Sequence, residues 1–152
     1  MITFGEKCIP NQISNKGNTA LILACKNEMD DVALNLIDTF GDLCCPQQFN
    51  YYGNTALIFA CKNNMENIAL KLIDTFGEKC NPQQVNIYCK TALIWSYENK
   101  MENVALKLIE TFREKCNPQQ NDNKGYTALY WASQNNMKCI DDIQNIISEI
   151  KK

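Results

Sequence analysis

The sequence predicts an all-α solenoid of stacked helix-turn-helix repeats, and three observations predict it. First, the stretch Thr19-Ala20-Leu21-Ile22-Leu23-Ala24 returns as Thr55-Ala56-Leu57-Ile58-Phe59-Ala60, Thr91-Ala92-Leu93-Ile94-Trp95-Ser96 and Thr127-Ala128-Leu129-Tyr130-Trp131-Ala132, each 36 residues after the last. Second, each of the first three copies is followed by the same apolar stripe at helical spacing. Third, a Cys-x-Pro punctuates the chain at Cys44 to Pro46, Cys80 to Pro82 and Cys116 to Pro118. A fixed period of about 20–50 residues marks architectures in which each unit buries its apolar face against the next.

Residues 1–14 read as a partial repeat, because Thr3-Phe4-Gly5-Glu6-Lys7-Cys8 matches Thr39-Phe40-Gly41-Asp42-Leu43-Cys44 and Thr75-Phe76-Gly77-Glu78-Lys79-Cys80 in the same register. Repeats of about 15–50, 51–86 and 87–122 and a capping repeat, 123–152, complete a single domain over residues 1–152. In each, threonine at 19, 55, 91 or 127 is placed to cap a short first helix by accepting from a backbone N–H. Leu21, Ala24 and Cys25 share one face of that helix, which ends by Asn27-Glu28. Met29, Val32, Ala33, Leu36 and Ile37 then fall at i, i+3, i+4, i+7 and i+8, the core stripe of an amphipathic helix. The same stripe returns at Met65, Ile68, Ala69, Leu72 and Ile73 and at Met101, Val104, Ala105, Leu108 and Ile109. Gly41 and Gly77 follow as left-handed C-caps. Arg113 stands in that column and pays about 1 kcal/mol where φ is positive. The Cys-x-Pro segment reads as an ordered loop.

The last repeat departs from the pattern. Asp141, Gln144 and Asn145 replace the core positions Ala33, Leu36 and Ile37. The final helix is expected to bury a rotated stripe, Ile140, Ile143, Ile147 and Ile150, and to turn Asp141, Asp142, Asn145 and Glu149 outward as a polar cap. No such cap stands at the other end, so repeat one is expected to expose apolar surface there, open to a second copy or to upstream residues.

Composition narrows the class. The chain has 152 residues, is 45% hydrophobic and carries a net charge of −2. That charge gives no general reason to bind nucleic acid or an anionic membrane. The N-terminus lacks the basic start and apolar run of a signal peptide, and no segment approaches a membrane span. The chain is read as soluble, intracellular and cytoplasmic. Asparagine and lysine are abundant, as coding bias alone can make them. Nine cysteines and no histidine are present. Cys8, Cys44, Cys80 and Cys116 form one column and Cys25 and Cys61 another, while Cys45, Cys89 and Cys139 belong to none. Stacked helices lie about 8–10 Å apart, whereas a disulfide needs Cα atoms within about 7 Å. The columns are therefore read as reduced, packed thiols. Without histidine or Cys-x-x-Cys no zinc site is expected, and no cofactor is called. Vicinal Cys44-Cys45 is kept as an oxidation-sensing alternative.

Gly17-Asn18-Thr19-Ala20-Leu21-Ile22-Leu23-Ala24 followed by Val32-Ala33-Leu34-Asn35-Leu36-Ile37 resembles the ankyrin repeat, whose signature is a glycine-ended turn, Thr-Pro-Leu-His-x-Ala and a second helix of the form Val-Val-x-x-Leu-Leu. The departures are alanine for proline at 20, 56, 92 and 128, and Ile22, Ile58, Ile94 and Tyr130 for histidine, which removes the family's Thr–His network. The period is also about three residues longer, with the excess in the Cys-x-Pro connection. Cys89 replaces the tip glycine and puts the third turn's geometry in question.

The resemblance implies an interaction protein that binds another protein with its turn tips and first helices, on a concave side. Those positions vary between repeats here. The tips read Asn15-Lys16, Tyr51-Tyr52, Ile87-Tyr88 and Asn123-Lys124; beyond them come Asn18, Asn54, Lys90 and Tyr126, then Lys26, Lys62, Glu98 and Gln134 on the first helix. Tyrosine buries large area with little rotamer loss, so Tyr51, Tyr52, Ile87, Tyr88 and Lys90 form the candidate recognition patch, flanked by Lys62, Glu98 and Tyr126. Neutral surface drift is the alternative. Trp95 and Trp131, in a column with Leu23 and Phe59, are assigned to the core, and Leu34, Leu70 and Leu106 to a half-buried layer. An enzyme is disfavoured: there is no histidine, phosphate loop or paired-carboxylate motif, and a Lys79-Cys80 nucleophile has copies at Lys7-Cys8 and Lys115-Cys116. The third class is an assembly protein that self-associates through the uncapped N-terminal face. By analogy alone, such chains resemble scaffold or host-interaction proteins of large DNA viruses or intracellular microbes.

Overall fold

A computed structural model of the chain describes residues 9–152. The readings placed on residues 1–8, including Cys8 and the Lys7-Cys8 pair, lie outside the described residues. The rest is helical: α1 (Ala20–Lys26), α2 (Asp30–Phe40), α3 (Ala56–Lys62), α4 (Glu66–Phe76), α5 (Ala92–Glu98), α6 (Glu102–Phe112), α7 (Ala128–Gln134) and α8 (Ile140–Ile150). The odd-numbered helices stack α1 on α3 on α5 on α7. The even-numbered ones stack α2 on α4 on α6 on α8, and each odd helix packs on the even one that follows.

Each odd helix has seven residues, too few to hold together alone in water. A cap and burial fix it. The hydroxyls of Thr19, Thr55, Thr91 and Thr127 accept the N–H of Ile22, Ile58, Ile94 and Tyr130 at 3.0–3.2 Å. In α3, at the centre of the stack, every residue but Lys62 is buried. The even helices bury the expected stripe, with Ala33, Leu36 and Ile37 repeated as Ala69, Leu72, Ile73 and Ala105, Leu108, Ile109. Position 29 breaks the series: Met65 is 4% exposed, Met29 47%.

Two expectations about the connections are corrected. Gly41, Gly77 and Arg113 do have φ near +50°, but ψ lies between −122° and −134°. This is not the left-handed helical cap but a region only glycine visits freely, where another residue costs about 1–3 kcal/mol. Nor is the connection loop throughout. Each of these residues opens a 3-10 turn, Gly41–Cys44, Gly77–Cys80 or Arg113–Cys116, that ends on the buried Cys44, Cys80 or Cys116. Cys44 donates to the carbonyl of Leu36 at 3.2 Å, and Cys116 to that of Arg113 at 2.8 Å.

The last helix also corrects its prediction. Ile143 and Ile146 are its buried residues, Ile140 and Ile147 are half-buried, and Ile150 is exposed. The reason is a slide. α2, α4 and α6 begin at positions 30, 66 and 102, but α8 begins at Ile140 rather than at 138. Starting two residues late moves the core positions from 141 and 144 to 143 and 146. Asp141, Asp142, Asn145 and Glu149 are exposed as expected.

The tips are held by backbone. The N–H of Gly17, Gly53, Cys89 and Gly125 donates to the carbonyl three residues earlier at 2.8–2.9 Å, and each tip donates to the one before it: Tyr51 to Lys16, Ile87 to Tyr52 and Asn123 to Tyr88, all at 3.0 Å. Cys89 keeps this turn with φ of 57°, against 75–84° for the three glycines. A Cβ on Gly53 would stand 2.6 Å from the Val85 carbonyl oxygen and 2.8 Å from Asn86 Cα, whereas one on Gly125 meets nothing within 4 Å. Gly53→Ala is therefore expected to destabilise by about 2–4 kcal/mol and Gly125→Ala by about 1 kcal/mol in urea unfolding; equal losses would remove the steric part of this account.

Candidate functional site

The tip side chains are aimed by asparagines beneath them. Asn50 is buried; its Oδ1 accepts the N–H of Tyr52 and Asn54 at 3.0 Å, and its Nδ2 donates to Asn18 Oδ1 beneath the preceding tip at 3.0 Å. Asn86 repeats the arrangement with Tyr88, Lys90 and Asn54 at 2.9–3.1 Å. With the turn backbone locked from below, the residues at its crest face outward. Tyr51 is 77% exposed, and Tyr52, Ile87 and Tyr88 are exposed beside it.

Two adjoining clefts open between the crests and the odd helices. One, of about 230 Å³, is bounded by Lys26, Tyr52, Phe59, Lys62, Ile87 and Tyr88. The other, of about 380 Å³, is bounded by Lys62, Tyr88, Lys90, Trp95, Asn123 and Lys124. Five of the predicted site residues, Tyr52, Lys62, Ile87, Tyr88 and Lys90, thus come together. Tyr51 stands on the crest and lines neither cleft. Glu98 is half-buried behind Lys90, and Tyr126 stacks on Tyr130, ring centroids 4.0 Å apart, with its edge to Trp131 at 5.7 Å.

Lys90, expected on the solvent-facing surface, is instead 7% exposed. Its ammonium pairs with Glu98 and lies 4.2 Å from the Trp95 ring centroid and 5.4 Å from that of Trp131. An ammonium over an indole face gains from the ring quadrupole and gains more where water is excluded. The core assignment of Trp95 and Trp131 is corrected with it: both are half-buried, and Trp95 forms a wall of the second cleft. Their position lies at the edge of the odd helix, between its core face and the crest. The signal for this was the growth of the column from Leu23 through Phe59 to Trp95 and Trp131. Leu34, Leu70 and Leu106 are half-buried.

Cys25, Cys61, Cys80 and Cys116 are not poised for chemistry. Burial pushes the Cys25, Cys80 and Cys116 thiols up to about 12, and Cys61 upward too, with neighbouring Cys80 and Cys25 adding to it. Burial disfavours the thiolate, the nucleophilic form. Tyr97, which takes the place of Cys25 and Cys61 in its repeat, is buried and its hydroxyl is pushed upward by burial and by the Cys139 thiol. Among the described residues there is no group of three or more potential metal ligands, and no helix is long and apolar enough to cross a membrane.

A two-layered helical stack whose backbone-locked tips border open clefts defines a solenoid repeat protein. The chain belongs to the ankyrin-repeat family: the family model described as Ankyrin repeats (3 copies) matches residues 2–84, more than half of the sequence. Ankyrin repeats in general mediate protein–protein interaction. No curated protein matches the chain.

At pH 8 a thiol with a pKa of about 12 is ionised on the order of one part in ten thousand. In the native protein a maleimide or disulfide reagent is therefore expected to modify exposed Cys89 and to spare Cys25, Cys61, Cys80 and Cys116 until urea is added. Labelled-peptide mass spectrometry checks this, and native modification of Cys80 as fast as Cys89 would contradict it.

Proposed function

We propose that the chain is a non-enzymatic adaptor or scaffold that binds a partner protein through the crests and clefts of its odd-helix face. The observation that carries this reading is the row Tyr51, Tyr52, Ile87 and Tyr88. These large side chains are exposed although the backbone under them is fixed by buried asparagine and carries no freedom to hide them. Pre-ordered aromatic groups lose little entropy on binding. Glu98 and Tyr126 act behind this surface, the first by holding Lys90 and the second by stacking on the aromatic end of the face. Free cysteines support placement in a reducing compartment such as the cytoplasm, and thiols held protonated by burial argue against a nucleophile at Cys80 or Cys116.

A second reading, self-association through the face bearing Met29, is favoured by one observation. Met29 is exposed where the equivalent Met65 and Met101 are buried. Sedimentation of the native protein and of Met29→Glu separates the two: a dimer abolished by that substitution supports assembly, and a monomer throughout removes it.

For the main reading, affinity capture compares the native chain with Tyr51→Ala/Tyr52→Ala/Tyr88→Ala at unchanged helix content. A partner retained by the first and reduced at least tenfold by the second is expected, as three truncated aromatic anchors cost about 1 kcal/mol or more each. Equal recovery would move the interface off the crests.

A further inference from the structure

We propose that the partner segment seated in the two clefts is an acidic peptide, whose carboxylates are held between Lys26, Lys62 and Lys124 over the Trp95 face. The inference rests on the protein-binding reading above and adds the chemistry of the partner.

Charge is divided between the two faces of the chain. The tips and odd helices with their end turns hold Lys16, Lys26, Lys62, Lys90, Lys100 and Lys124 against Glu28, Glu98 and Asp122, an excess of cations in a protein whose net charge is −2. The even-helix side is where the acids gather, and there most of the cations are matched, Lys138, Lys151 and Lys152 excepted. Lys71 pairs with Asp38, Lys79 with Asp42, Lys107 with Asp74, Lys115 with Glu78, and Arg113 with Glu149, each pair joining neighbouring repeats. On the odd-helix face the one ion pair among the described residues is Lys90 with Glu98. Lys26, Lys62 and Lys124 stand outside every ion pair there, and no carboxylate bounds either cleft.

The geometry makes those lysines a receptor rather than a solvated fringe. Lys62 is shared by both clefts, with its ammonium 5.6 Å from the Trp95 ring centroid and 6.0 Å from that of Phe59. Lys124 lines the same cleft as Trp95, and Lys26 the same cleft as Phe59. Lys90 below is already neutralised, so an entering carboxylate meets two uncompensated ammonium groups in each cleft against an aromatic wall. Attraction between opposite charges strengthens as water is displaced from such a wall. The flanking Tyr52, Ile87 and Tyr88 suit apolar residues between the acids, so the expected segment alternates acidic with aliphatic or aromatic side chains.

The test is selection of a displayed random dodecapeptide library on the intact protein. It is followed by titration of the enriched peptides against the fluorescence of Trp95 and Trp131, the chain's only tryptophans, both on this face. Enriched peptides of net negative charge are expected, with affinity falling at least tenfold in Lys62→Glu/Lys124→Glu and with rising salt. Lys151→Glu/Lys152→Glu, the same charge change at the far end, should leave it within twofold. No enrichment, neutral or basic peptides, indifference to the Lys62/Lys124 reversal, or a stronger response to a single-stranded oligonucleotide than to any peptide would overturn the proposal. Neutral or basic peptides lost on replacing Tyr51, Tyr52 and Tyr88 would leave the protein-binding reading standing while this inference falls.

Discussion

The structure depends on side-chain amides that reach from one repeat to the one before. Asn63 donates to the carbonyls of Cys25 and Lys26 at 2.9 and 3.2 Å, Asn99 to those of Cys61 and Lys62 at 2.8 and 3.0 Å, and Asn135 to those of Tyr97 and Glu98 at 2.7 and 3.3 Å. The last carbonyls of a helix have no partner within it. Here the next repeat supplies one. Asn50 and Asn86 do the same at the tips. A bond of this kind contributes about 1 kcal/mol, but losing one of the buried tip bonds leaves a polar group whose desolvation costs about 1–3 kcal/mol. The penalty for a slip therefore exceeds the reward for the fit, which holds the repeats at one spacing without insertion or deletion.

That fixed register lets the two faces serve different ends. On the even-helix side the columns are nearly constant, and the exposed ion pairs joining neighbours contribute at most about 1 kcal/mol each. The packing beneath them carries the stack. On the odd-helix side the amides hold the backbone regardless of what the crest residues are. Asn15-Lys16, Tyr51-Tyr52, Ile87-Tyr88 and Asn123-Lys124 are all compatible with one turn geometry, so the crest is free to vary chemically.

Much of this was legible because the interactions are local. Threonine caps, the i, i+3, i+4 stripe and positive φ at the glycine columns follow from residues within one turn of each other. What was not legible needed distance or direction. The 3-10 turns depend on where Cys44, Cys80 and Cys116 must be buried after each even helix ends. The two-residue slide of α8 goes with Cys139, which is buried and precedes the helix where the earlier repeats are already helical and exposed. The asparagine columns were visible as composition but not as bonds, because a donor and its acceptor 38 positions away share no local signature. In the candidate site the exposure of the tyrosines followed from the turn. The burial of Lys90 did not, because it depends on tryptophans in its own repeat and in the next.

Lys90 also shows how the ladder tolerates a break. At the first two interfaces an asparagine amide donates to an asparagine oxygen, Asn50 to Asn18 and Asn86 to Asn54. At the third, Lys90 stands in the accepting place, where it can only donate, and an asparagine at 122 would set donor against donor. The residue there is Asp122. Its Oδ1 keeps the turn by accepting from Lys124 and Tyr126 at 2.9 Å, while Oδ2, in place of the donor, is buried and makes no hydrogen bond among the described residues. An amide pair has become an acid and a base. The lysine, longer than the asparagine it replaces, reaches past Asp122 to Glu98 and the tryptophan faces. The ladder thus yields its third rung to an aromatic and ionic cluster beneath the odd-helix face, and the neighbouring backbone bonds keep the register that rung would have held.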